Sequence, residues 1–385
     1  MKILSAILCC LLLAGCAARS PETVPTTALP ETAASVPSTT VPTEPPETEP
    51  VKDVIDQTID AMSLEQRVGQ LFLARCNKDT VIADLSQYHL GGLVLFGEDF
   101  ENQTPETMTE LLTSYQAAAE YPLLLAVDEE GGDVTRISRN SAFREKRFSS
   151  LRARWNRGGL GAVLSEEEEK CQLLTGLGIN VNLGPVCDIA TDSGAFLYSR
   201  SLGQDAETTS QVVSEIVNLM NQNHIGSVLK HFPGYGNNAD THTGIARDSR
   251  TLAELESNDL LPFAAGIQAG CGAVMVGHVI VEAMDGSLPA SLSPAVHRYL
   301  RNTMGFTGVI MTDDLVMQAI TDQYGAGEAA VMAVLAGNDL LCSTEYATQY
   351  QAVLQAVLDG RISVDTLNAA VGHVLVWKQQ VASYG

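Results

Sequence analysis

Eight short β-forming runs recur along this chain, each followed by a stretch with helical hydrophobic spacing, and that rhythm restricts the fold more than any other feature. The runs are Gln70–Arg75, Gly92–Phe96, Leu123–Val127, Ile179–Leu183, Ser227–Lys230, Ala273–Val276, Gly308–Thr312 and Asn338–Cys342. Helical patterns cover Met108–Glu120, Ala206–Asn223, Leu252–Ala269 and Gly325–Ala336, and Thr104-Pro105-Glu106 is a cap followed by proline at the first helical position. About eight strand–helix units in roughly 330 residues point to an α/β fold, a single (β/α)8 barrel of the TIM type over residues 53–385. A doubly wound open sheet is the alternative. Tyr346–Leu358 and Val364–Val381 are expected to close the barrel, with no second domain after them. The charged stretch 137–166 lacks a clear period and is expected to be an elaborated loop over the active face.

The first 52 residues do not join that core. Lys2 precedes the apolar stretch Ile3–Leu13 and then Leu13-Ala14-Gly15-Cys16, the pattern of an export signal. It resembles a bacterial lipoprotein signal, which implies cleavage before Cys16 and lipid on its thiol. A stretch of eleven residues is too short to cross a bilayer. Residues 17–52 hold eight of the fifteen prolines and eight threonines, a composition suited to an extended spacer reaching on the order of 100 Å. A folded domain tethered to the outer face of the cell membrane is the expected arrangement.

Composition removes several classes. A net charge of −23 argues against a nucleic-acid partner, which would reward lysine and arginine. Of eight cysteines, Cys9, Cys10 and Cys16 lie in the signal; Cys76, Cys171, Cys187, Cys271 and Cys342 are scattered, odd in number and read as small buried hydrophobes.

In barrel enzymes chemistry collects at the C-terminal ends of the strands. Asp128 ends one run and opens DEEGG, Lys230 and His231 end another, His278 follows a third and Asp313 follows GVIMT. These five are expected to converge on one mouth. Strand alternation places Val309, Met311 and Asp313 on one face and Thr312 and Asp314 on the other, so Asp313 is the expected reactive carboxylate and Asp314 a cap or support. In KHFPGYGNNADTHTG, residues 230–244, the glycines favour a loop over a helix. Asp240 and His242, two apart, can hydrogen-bond there, and a histidine backed by a carboxylate suits a general acid that later acts as base.

Taken in order, SLEQRVGQLF, GGLVLFGED, LAVDEEGGDVTRI, GINVNLGPVCDI, RSLGQD, KHFPGYG, DTHTG and GFTGVIMTDDLVMQAI resemble motifs of family 3 glycoside hydrolases, in the β-N-acetylhexosaminidase branch. The resemblance implies that Asp313 is the nucleophile, that His242 paired with Asp240 is the acid/base, and that Asp128, Arg136, Arg200, Lys230 and His231 bind the sugar. It implies a retaining exo-β-N-acetylglucosaminidase acting on GlcNAc-containing wall glycans without metal or cofactor; a monomer is the expected state. Two positions depart from the family pattern: Tyr235, where histidine is common, and Asp133, where a basic residue is common. They keep open a lipoprotein that binds wall sugars without turnover. A β-glucosidase or xylosidase of the same fold is a further alternative, and a metal hydrolase using His231, His242, His278, Asp240 and Asp313 is another, though their spacing matches no standard ligand motif.

Overall fold

A computed structural model describes residues 54–238 and 244–382. The expected signal, Cys16 and the proline-rich spacer lie outside the described residues.

The eight expected strands are present as β1 Phe72–Arg75, β2 Gly92–Leu95, β3 Leu124–Val127, β4 Val181–Asn182, β5 Gly226–Phe232, β6 Ala273–Val276, β7 Val309–Thr312 and β8 Leu341–Ser343. They form one sheet in the order β8-β1-β2-β3-β4-β5-β6-β7, with parallel pairing throughout. The ends meet at a parallel bridge between Met311 and Leu340, where the Thr312 N–H donates to the Leu340 carbonyl at 3.1 Å. The barrel was therefore the correct alternative to the open sheet.

Alternation explains the runs. Leu73, Val94, Ala126, Val181, Val228, Met275, Val309, Met311 and Cys342 fill the barrel interior. Their neighbours Phe72, Leu93, Leu125, Leu229, Val274 and Ile310 face outward into the clusters beneath the helices. Both faces are buried, so the strands read as continuous apolar runs. The helix Val364–Val381 seals the N-terminal end, placing Val374, Trp377 and Val381 in the interior cluster. Gly272 makes this possible: a methyl carbon there would lie 1.9 Å from the Trp377 Nε1.

Two expectations change. Residues 137–166 are not one irregular loop, because a helix runs from Leu151 to Leu177 with a kink at Gly158 and Gly159. The Ser150 side chain caps it by accepting the Ala153 N–H at 3.3 Å. Its inward face carries Arg154, Glu166, Glu167 and Lys170 among its buried residues. Arg154 and Lys170 donate to Glu167 at 2.9 and 2.7 Å, so buried ion pairs stand where an apolar stripe would have revealed a helix. The expected helix 252–269 splits into Leu252–Ser257 and Leu260–Gln268. Breaking at Asn258 puts Pro262 in the first turn of the second helix, where its missing N–H breaks no helical bond.

The five scattered cysteines are free and buried, as expected. Burial pushes the Cys76 and Cys171 thiols up to about 12.

Candidate active site

Each group at the C-terminal rim is set by the end of a strand. Asp128 leaves β3, and Asp313 leaves β7 with its N–H donating to the Val276 carbonyl of β6 at 3.2 Å. Near the end of β5 the pairing with β6 shifts: Leu229 faces Val274, but Phe232 faces Val276. The extra residue is a bulge, which interrupts strict in-and-out alternation and lets the consecutive Lys230 and His231 both line the cavity.

That cavity has a volume of about 630 Å³, and Asp128, Arg136, Arg200, Lys230, His231 and Asp313 all line it. Six of the eight expected catalytic and sugar-binding residues therefore meet, whereas Asp240 and His242 lie outside the described residues. Lys230 is 2% exposed, and its Nζ reaches Asp128 Oδ1 at 2.6 Å and Glu130 Oε1 at 2.7 Å. Burial alone would lower the lysine pKa, but Asp128 and Glu130 outweigh it and the net shift is upward. Arg200 Nε and Nη2 clasp Glu130 at 3.0 and 2.7 Å. Burial would raise the Glu130 pKa; Arg200 and Lys230 reverse that and hold its carboxyl far below the ordinary range. Arg136 Nη2 lies 3.5 Å from Asp128, and its Nε is buried with no hydrogen-bond partner among the described residues.

Asp313 and Asp314 both line the cavity, so alternation past the end of β7 does not turn one of them away from it, but their partners differ. Asp314 accepts the Val316 N–H at 3.1 Å and the Thr344 hydroxyl at 2.6 Å, which ties the β7 and β8 loops together. Burial raises its pKa, and the neighbouring Asp313 charge adds to that. Asp313 Oδ1 accepts the Asp314 N–H at 2.8 Å, and the residue faces the cavity.

His278 does not converge with the others. It is fully buried, with Nδ1 2.7 Å from Ser291 Oγ and Nε2 3.0 Å from the Asp314 carbonyl, so it braces the backbone behind the carboxylate pair. Tyr235, a departure from the family pattern, is also buried and packs its ring edgewise to His231 at 5.4 Å. Asp133 lines the cavity. Among the described residues no three His, Cys, Asp or Glu side chains converge as a metal site.

Sequence reasoning missed Glu130 and Asp188. Glu130 is the third acid of DEEGG, masked by its neighbours; Asp188 lies within GPVCDI, and its depth marks it only once the fold is known.

A closed parallel barrel with ionisable groups gathered at its C-terminal rim defines a TIM-barrel enzyme. Residues 63–376 match the Glycosyl hydrolase family 3 N terminal domain, and the chain belongs to that family of glycoside hydrolases. It is 31% identical over 301 residues to a beta-hexosaminidase of Nitrosomonas eutropha, a match covering 74% of this chain and 84% of that one. A beta-hexosaminidase of Tolumonas auensis is 34% identical, with 70% and 79% covered. Among solved structures, a glycoside hydrolase family 3 beta-N-acetylglucosaminidase from Paenibacillus superposes with a TM-score of 0.79 at 33% identity, covering 84% of this chain. The matched region spans 64% of the Paenibacillus chain.

Proposed function

We propose that the protein is an exo-acting, retaining β-N-acetylglucosaminidase that removes terminal GlcNAc from cell-wall glycan fragments. The observation carrying this reading is Asp313 on the same cavity wall as the network of Asp128, Lys230, Glu130 and Arg200. Fixed cations and carboxylates of this kind grip sugar hydroxyls as both donors and acceptors. The beta-hexosaminidase relatives support GlcNAc as the sugar.

In the first step an Asp313 oxygen attacks the anomeric carbon while the glycosidic oxygen leaves and takes a proton from His242, which Asp240 supports. In the second, His242 takes a proton from water as that water displaces Asp313 from the sugar. Two inversions through oxocarbenium-like transition states give net retention.

The export signal and the spacer support a lipoprotein anchored through Cys16 to the outer face of the membrane, with the barrel acting as a monomer at the wall. Cys16→Ser is expected to release the protein from the membrane pellet; continued sedimentation with membranes would contradict the anchor.

The functional test compares release of 4-nitrophenol from the β-GlcNAc and β-glucoside by a soluble form beginning near Val51, beside Asp313→Ala and His242→Ala. Preference for GlcNAc with both variants crippled is expected. Equal use of the glucoside would move the reading to a β-glucosidase, and GlcNAc binding without turnover would move it to a binding lipoprotein.

A further inference from the structure

Asp188 is a buried carboxylate that no step of the proposed chemistry uses, yet it touches the binding network directly. We infer that Asp188 is a positioning residue that holds His231 as the neutral Nδ1–H tautomer and thereby aims Arg200 and His231 into the sugar pocket. The inference rests on the glycosidase reading above.

Its place in the fold comes from backbone pairing. Val186 bridges Lys230 in parallel, and the Cys187 N–H donates to the Lys230 carbonyl at 2.7 Å, so the segment after β4 runs beside the end of β5. Asp188 follows with its side chain fully buried. Three donors converge on it. Oδ2 takes the His231 backbone N–H at 2.9 Å and His231 Nδ1 at 2.8 Å, and Oδ1 takes the Tyr235 N–H at 2.8 Å. A carboxylate only accepts, so His231 Nδ1 carries a proton.

The opposite side of the ring selects the same tautomer. His231 Nε2 lies 3.3 Å from Arg200 Nη2, and a guanidinium only donates, so Nε2 must present its lone pair. Of the two protons on Arg200 Nη2, one goes to Glu130 Oε1 at 2.7 Å and the other to this ring nitrogen. The guanidinium is thus held at two places, by Glu130 and by a histidine that Asp188 orients. Without Asp188 the imidazole can rotate or shift its proton to Nε2, where it would oppose the Arg200 donor. Carboxylate partners that fix a histidine's tautomer through its other nitrogen act in this way generally.

The test is a double-mutant cycle on kcat/KM for 4-nitrophenyl β-GlcNAc with Asp188→Ala, His231→Ala and the double variant, joined to 15N spectra of histidine-labelled protein. Each single change is expected to lower kcat/KM by about 30-fold or more, and the double variant to fall no more than about threefold below His231→Ala, because Asp188 acts through that ring. The His231 signals are expected to show protonated Nδ1 and unprotonated Nε2 at pH 7 in the wild type. Losses that multiply would assign Asp188 a merely structural role, and a protonated Nε2 in the wild type would overturn the inference. Asp188→Asn fills the same volume and serves if the alanine variant does not fold: with its amide oxygen toward His231 only the Tyr235 N–H goes unmet, and with its amide nitrogen there the His231 backbone N–H and Nδ1–H both lose their acceptor, so it should show an intermediate loss and a weakened Nδ1–H signature. An Asn variant that matched the wild type in both respects would also overturn it. If the wild type turned over no aryl glycoside, the glycosidase reading would fail, while the 15N spectra would still decide the tautomer.

Discussion

Replacing Glu130 with glutamine tests the electrostatic frame of the site, because this one carboxylate neutralises two buried cations. Lys230 and Arg200 both contact it, with side chains 2% and 14% exposed, and Glu130 itself is 7% exposed. A glutamine keeps the volume and one acceptor but removes the charge, leaving Arg200 and Lys230 to repel each other beside the single carboxylate of Asp128. Removing one partner from a buried ion pair costs about 3 to 5 kcal/mol. For a domain of this size that corresponds to a fall in Tm of roughly 4 to 7 °C. Displacing two sugar-binding groups by about 1 Å should lower kcat/KM by about 100-fold. The sign with pH follows from the direction of the shift. Glu130 is held below its ordinary pKa, so its contribution is complete above about pH 4.3 and is lost only as pH falls through the depressed folded value. The difference between wild type and variant should therefore persist from pH 5 to 8 and shrink on acidification. Urea unfolding at several pH values, with aryl β-GlcNAc hydrolysis alongside, makes the measurement. A loss under about 1 kcal/mol with unchanged kcat/KM would refute the reasoning.

Further consequences can be checked with simpler variants. Lys378 is buried with its Nζ 2.5 Å from Gln70 Oε1, and burial brings its pKa down to about 7. A depressed lysine makes folding progressively less favourable as pH falls from about 10.4 to 7, so Lys378→Met should raise stability at pH 7 by up to about 4 kcal/mol and flatten the dependence over that window; equal slopes in urea titrations would contradict this. Gly272→Ala drives a methyl into Trp377 and should cost at least about 1 to 3 kcal/mol in chemical denaturation, whereas an unaffected midpoint would show that the floor of the barrel gives way easily. His278→Ala should lower stability and, by loosening the support behind Asp314, reduce kcat more than it raises KM; a pure KM effect would place His278 in sugar binding instead.

The parts of this molecule readable from sequence are those governed by local periodicity. Strands buried on both faces leave long apolar runs, and residues just past those runs fall on the rim, which is how Asp128, Lys230, His231 and Asp313 could be located. The same rule misplaced His278, because position after a strand does not specify whether a side chain turns inward to the cavity or back toward Ser291 and the Asp314 carbonyl. Helix Leu151–Leu177 escaped because its buried face is partly ionic and its glycine pair breaks the period. Glu130 and Asp188 gain their roles from partners 70 and 43 residues away, a separation no short motif encodes.

The central claim is that Asp313 forms a covalent bond to the sugar. Incubation with a fluorinated GlcNAc analogue bearing a good leaving group, followed by proteolysis and mass spectrometry, tests it directly. The account predicts one added sugar on the peptide containing Asp313 and none in Asp313→Asn; a fully active enzyme that accumulates no adduct, or one labelled on another residue such as Asp314, would contradict it.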